Sequence, residues 1–177
     1  MKISALYFAF AAFLAASHAR ALTLHVDANA LPNGDGSSWA HAFTSIQDAI
    51  DTPGVTRIIV TNGVYAPIIT TNAVLTIQSV NGAAHTFIDG GGVKRCATLG
   101  VIKKLNQRNT VLIGFTLRNG KKQYRDGQLE SADGGGVIFG TLINCVICDS
   151  VADYGGGVRD ANLIQCVLKN NNRGTPF

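Results

Sequence analysis

A Gly-Gly-Gly-Val block at Gly134–Val137 returns at Gly155–Val158, 21 residues later, and its surroundings return with it. Each copy is followed by a Leu-Ile-polar-Cys run, first Leu142-Ile143-Asn144-Cys145 and then Leu163-Ile164-Gln165-Cys166. A repeat of about 20 to 30 residues built from short apolar runs and Gly or Asn turns cannot bury its apolar face alone. It must stack on its neighbours, and that restricts the chain to a solenoid.

Other runs obey the same grammar. Arg57–Val60 precedes Thr61-Asn62-Gly63, Thr86–Ile88 precedes Asp89-Gly90-Gly91-Gly92, and Val111–Leu117 precedes Arg118-Asn119-Gly120. β-Branched and aromatic runs closed by Asn-Gly or Asp-Gly read as strands ending in tight turns. No run after residue 51 has helical period, which excludes helical crossovers and predicts an all-β chain. Aligned on the repeat, Phe115/Cys145/Cys166, Leu117/Ile147/Leu168 and Leu112/Leu142/Leu163 form three inward columns. Thr116/Val146/Val167 and Arg118/Cys148/Lys169 alternate outward. Asn119, Asp149 and Asn170 form a polar column at the strand ends, where stacked amides bond along the stack. The glycine triples read as coil corners, not as a phosphate loop, since neither Lys-Ser/Thr nor a helix follows them.

The N-terminal part differs. Lys2, the apolar stretch Ile3–Ala16 and Ala19-Arg20-Ala21 make a secretory leader cleaved after Ala21. That stretch is too short to span a bilayer, so no transmembrane span is expected after leader removal. Trp39, Phe43, Ile46 and Ile50 make a helical stripe, and Thr44-Ser45-Ile46-Gln47 reads as a capping box. A helix over 44–51 is expected to lid the open end of the stack. The division is then a leader at 1–21, an N-terminal strand, loop and capping helix at 22–56, and coils at 57–177. Nothing after Asn170 is apolar enough to cover the last coil, so the solenoid is expected to be incomplete at its C-terminal end and to self-associate there.

These features together carry a resemblance. The capping helix, Ile59–Tyr65, Phe87–Gly92 and Gly114–Gly120 resemble secreted bacterial right-handed parallel β-helix proteins of the pectate-lyase-like superfamily. The Gly-Gly-Gly-Val blocks also resemble the Gly-Gly-Ala-Ile repeats of chlamydial polymorphic outer-membrane proteins, without the Phe-x-x-Asn half of that motif. The resemblance implies a right-handed parallel β-helix on the cell surface or outside the cell. It carries over no catalytic residue.

Charge gives the functional hint. The full chain has a net charge of +4, which falls to +2 when Lys2 and Arg20 leave with the leader. Residues 94–125 hold nine basic side chains and no acid, between two acidic flanks. Lys94, Arg95, Arg118, Lys121, Lys122 and Arg125 are the candidate ligand-binding residues, expected to meet an acidic polysaccharide or cell-surface glycan. Export and the scarcity of aromatic residues near the band exclude nucleic acid. The leading expectation is a non-enzymatic adhesion or carbohydrate-contact module. The alternatives are a polysaccharide lyase or glycoside hydrolase, and a passenger of a larger secreted protein. The enzyme reading has Asp133 and Asp153 as candidate acids, with Arg118 or Arg125 as electrostatic helper. The two aspartates are also the candidate Ca²⁺ ligands; no other cofactor is expected. Cys145-x-x-Cys148 is not read as a metal site, because strand residues three apart face opposite ways. Cys145 and Cys166 are expected to stack as reduced thiols.

Overall fold

The structure, a computed structural model, describes residues 21–101, 104, 106–122 and 133–174. After β1 (Leu22–Val26), a 3-10 turn at Trp39–His41 and helix α1 (Ile46–Ile50), the chain makes repeated circuits of short strands. The first comprises β2 (Val55–Val60), β3 (Gly63–Tyr65) and β4 (Ile68–Thr70), and the second β5 (Leu75–Ser79), β6 (Thr86–Asp89) and β7 (Ala97–Leu99). Then come β8 (Thr110–Ile113), β9 (Thr116–Arg118), β10 (Lys121–Lys122) and β11 (Val137–Ile138). The fourth circuit is β12 (Thr141–Ile143), β13 (Val146–Cys148), β14 (Val151–Ala152) and β15 (Val158–Arg159). The last is β16 (Asn162–Ile164), β17 (Val167–Lys169) and β18 (Asn172–Arg173).

Each strand pairs in parallel with its counterparts one circuit away. The sheets run β1-β2-β5-β8-β12-β16, β3-β6-β9-β13-β17, β4-β7-β11-β15 and β10-β14-β18. The chain is therefore all-β with parallel sheets and little helix, an arrangement compatible with a solenoid. Among the described residues, no helix is long and apolar enough to cross a membrane.

Register turns the repeat into a core. Leu24, Ile58, Ile77, Leu112, Leu142 and Leu163 stand in one column, and Tyr65, Ile88, Leu117, Ile147 and Leu168 in a second. Ile68, Ala97, Val137 and Val158 supply the facing wall. Each buried aliphatic side chain stabilises the fold by about 1.5–3 kcal/mol. The expected inward columns are thus present.

Two outward positions differ from expectation. Thr116 is buried because its hydroxyl donates to the Ala83 carbonyl at 2.6 Å. Cys148 is only 5% exposed, although it shares a column with Arg118 and Lys169.

The corners explain the polar columns. Gly114, Asn144 and Gln165 turn the chain from the first sheet to the second at φ of 73°, 53° and 52°. Asn119, Asp149 and Asn170 make the next corner at 54°, 53° and 52°. This left-handed region disfavours most L-residues, and Gly, Asn and Asp enter it most readily. The Asn170 amide donates to Asp149 at 3.2 Å, but that of Asn119 turns to Asp89 instead. Within the glycine triples the reason changes with position. Gly134 and Gly155 have positive φ (59° and 57°), whereas a Cβ on Gly135 or Gly136 would strike carbonyls of neighbouring strands.

The capping box is corrected. The N-cap is Ser45, not Thr44, and its Oγ accepts from the amides of Gln47 (3.1 Å) and Asp48 (3.4 Å). Gln47 is thereby released to reach β4. Its Oε1 accepts the Ile69 N–H at 2.9 Å and its Nε2 donates to the Ile69 carbonyl at 3.1 Å. Because β4 is an edge strand, Gln47 supplies the pairing that the sheet lacks there. The helix is also shorter than expected. Trp39 lies in the 3-10 turn, edge-on to His25, and Phe43 forms a parallel bridge with Val26.

Two outcomes follow from this geometry. Gly135→Ala is expected to destabilise by about 3 kcal/mol through backbone overlap, against about 1 kcal/mol for Gly82→Ala, where φ is positive but the space is open. Urea unfolding of both variants measures the difference. At the far end, Leu163 and Leu168 are 39% and 49% exposed, while their column neighbours Leu142 and Ile147 are fully buried. Amide hydrogen exchange at Val167 and Leu168 is therefore expected to be faster than at Leu112 and Leu117. Equal protection would contradict this.

Candidate functional site

The first two circuits pass from the second sheet to the third without a strand between, from β3 to β4 through Ala66-Pro67 and from β6 to β7 through residues 90–96. From β10 onward a fourth sheet intervenes, and β10 is its edge. The step between the two widths leaves an open groove of about 310 Å³. Lys94, Arg95, Lys121 and Lys122 line it together with Pro67, Ile69 and Val93. Ile69 and Val93, at 62% and 69% exposure, present an aliphatic floor beside the cations.

Local chemistry places these groups. The Asp89 carboxylate accepts the Gly91 N–H at 2.8 Å, which closes the Asp-Gly-Gly-Gly turn. The Gly92 N–H then donates to the Asn119 carbonyl at 2.7 Å, and the Lys121 N–H to the Lys94 carbonyl at 2.8 Å. Lys94 and Lys121 are thus tied through the backbone and open on the same groove. Lys94 is exposed, and Lys121 and Lys122 are half-buried.

The other expected ligand residues are placed differently. Arg95 is buried, and its guanidinium donates to the carbonyls of Asp133 and Gly134 (2.6 and 2.8 Å) and to the Thr98 hydroxyl (3.1 Å). It clamps the start of the glycine triple. Arg118 stands on another face, paired with Asp89 at 2.7 Å and stacked 4.6 Å from the Phe87 ring centre. Burial pushes the Asp89 carboxyl upward, but the Gly91 amide, Arg118 and Asn119 outweigh it and hold the group below the usual carboxylate range. Arg125 lies outside the described residues.

Asp133 is buried, and its Oδ1 pairs with Arg159 at 3.1 Å. Arg159 in turn reaches Asp160 at 3.3 Å. Asp133 bridges in register with Tyr154, which puts Asp153 beside it in sequence on the next circuit, and Arg173 donates to the Asp153 carbonyl at 3.1 Å. Among the described residues, no group of three or more His, Cys, Asp or Glu side chains gathers as a metal cluster. Sequence reasoning missed Arg159 as the partner of Asp133, although both belong to the glycine-block repeats. It also missed the aliphatic floor, because isolated Val93 and Ile69 carry no periodic signal.

The thiols fall into two kinds, and all four are free. Burial pushes Cys96 up to about 12 and Cys148 up to about 11, the latter helped by its bond with Asp149. The interaction between the neighbouring Cys145 and Cys166 thiols raises Cys145, as burial also does, and lowers Cys166 below the usual thiol range.

A comparison with known protein families, with curated proteins and with solved structures finds no match for this chain.

Since the thiolate is the nucleophile, iodoacetamide at pH 7 is expected to label Cys166 first, with Cys96 and Cys148 silent until the protein unfolds. Labelling of Cys166 should level off at a lower pH than that of an ordinary exposed thiol. A rate that keeps climbing tenfold per pH unit beyond pH 8 contradicts the assignment; peptide mass mapping reads either result.

Proposed function

We propose that the chain is a secreted or cell-surface right-handed parallel β-helix that contacts acidic glycans through the groove at Lys94, Lys121 and Lys122. The all-parallel, circuit-by-circuit strand order supports the β-helix, and right-handed crossing is the rule for parallel connections within a sheet. The leader-like residues 1–21 support export. Under this reading the resemblance to pectate-lyase-like proteins is one of architecture.

The single observation that carries the functional part is the convergence of separated basic residues on one groove with an aliphatic floor. Cationic side chains bind anionic groups by charge-assisted hydrogen bonds, and a sugar ring lays its apolar face on aliphatic side chains. A binding role is favoured over catalysis because the Asp133 carboxylate is engaged by Arg159, so it does not stand open as one of a pair of acids. The buried Arg95 acts in this scheme as a support that fixes the groove wall.

The test is retention on an immobilised acidic polysaccharide. Lys94→Glu with Lys121→Glu is expected to lower retention at least tenfold, and raised salt to weaken the unsubstituted protein, since exposed charges are screened within about 8 Å at physiological ionic strength. Arg118→Glu, on another face, should matter much less. Retention indifferent to both the groove substitutions and salt overturns the reading.

A further inference from the structure

We propose that Cys145 and Cys166 form a two-coordinate site for a soft, thiophilic monovalent cation such as Cu(I). The residues stand one above the other, because β13 and β17 pair Val146 with Val167. Their side chains adopt the same pose one circuit apart. The Cys145 sulfur lies 3.5 Å from the Leu112 carbonyl and 3.3 Å from that of Ile143. The Cys166 sulfur lies 3.4 Å from the carbonyls of both Leu142 and Ile164. Two equal poses related by one strand spacing put the sulfurs about 4.8 Å apart.

That separation decides the chemistry. It is more than twice the S–S bond of about 2.05 Å, so the register opposes a disulfide. It is close to twice a metal–thiolate bond of about 2.3 Å, so a linear S–metal–S unit spans it with little movement. Two thiolates as the only side-chain ligands select a soft ion such as Cu(I) over harder divalent ions. Each sulfur also has a backbone donor that suits a thiolate. The Phe115 N–H points to Cys145 at 3.5 Å, and the Cys145 backbone N–H plays the same part toward Cys166. Phe115 seals the column on one side. On the other, the half-buried Cys166 and the exposed Leu163 and Leu168 leave a path for the ion. Binding replaces the two thiol protons with one Cu(I), releases those protons and involves no electron transfer.

The experiment titrates the full chain, fully reduced and under anaerobic conditions, with Cu(I) against a coloured Cu(I) chelator. The protein is expected to withhold about one ion per chain, with sulfur as the sole ligand type in X-ray absorption. Cys166→Ser should weaken retention at least tenfold, while Cys96→Ser and Cys148→Ser leave it unchanged. Position 166 is half-exposed and takes serine more readily than buried position 145; circular dichroism verifies the fold. The proposal is overturned by failure of the unsubstituted chain to withhold Cu(I), by retention unaffected by Cys166→Ser, or by a third sulfur in the absorption spectrum.

Discussion

In-register parallel stacking of like corners on like corners is the constraint from which the rest of this molecule follows. Once Asn119, Asp149 and Asn170 each turn the backbone at nearly the same left-handed φ, the strands that leave them are parallel and aligned. Alignment places Leu117 on Ile147 and Leu112 on Leu142, so the core is a set of columns and not an interdigitated jigsaw. The glycine triples serve the same end. They let neighbouring circuits approach at a distance that a single Cβ would forbid.

A stack of this kind has two ends, and they are treated differently. At the first, α1 buries Ile46 and Ala49 against the strands, and Gln47 uses both ends of its amide on the backbone of Ile69. One side chain there satisfies a donor and an acceptor that an edge strand otherwise leaves to water. At the last described circuit, residues equivalent to fully buried ones are half in solvent, with no such cover among the described residues. The same asymmetry separates the thiols. Cys145 is buried, whereas Cys166, on the last described circuit, is half-buried.

The groove is a product of a change in the circuit. Lengthening the turn after the second sheet adds a fourth sheet at β10, and the step so formed gathers Lys94, Lys121 and Lys122 over Ile69 and Val93. Other basic side chains are used by the fold itself, and of these only Arg95 belongs to the groove wall. Arg118 neutralises Asp89 on another face, and Arg95 and Arg159 hold the backbone and the carboxylate of Asp133. A basic band in such a stack is therefore a mixture: Arg95 is a buried clamp, Arg118 and Arg159 pair with carboxylates, and Lys94 is exposed at the groove.

Much of the architecture was legible in the sequence. The 21-residue repeat sets which residues share a column, because parallel strands in register translate one circuit onto the next, and the three inward columns read from it are those observed. The Gly, Asn and Asp positions announce the corners, since few other residues adopt a left-handed φ cheaply. The tertiary structure alone decided what each polar side chain touches. Ser45 and not Thr44 took the cap, and the Gln47 amide bonds the backbone of Ile69 at the edge of β4. Arg95 became a clamp because the carbonyls of Asp133 and Gly134 converge on it, while its neighbour Lys94 is exposed at the groove. Those outcomes depend on contacts between residues 22 to 39 positions apart, which repeat spacing aligns by circuit but does not orient by side chain.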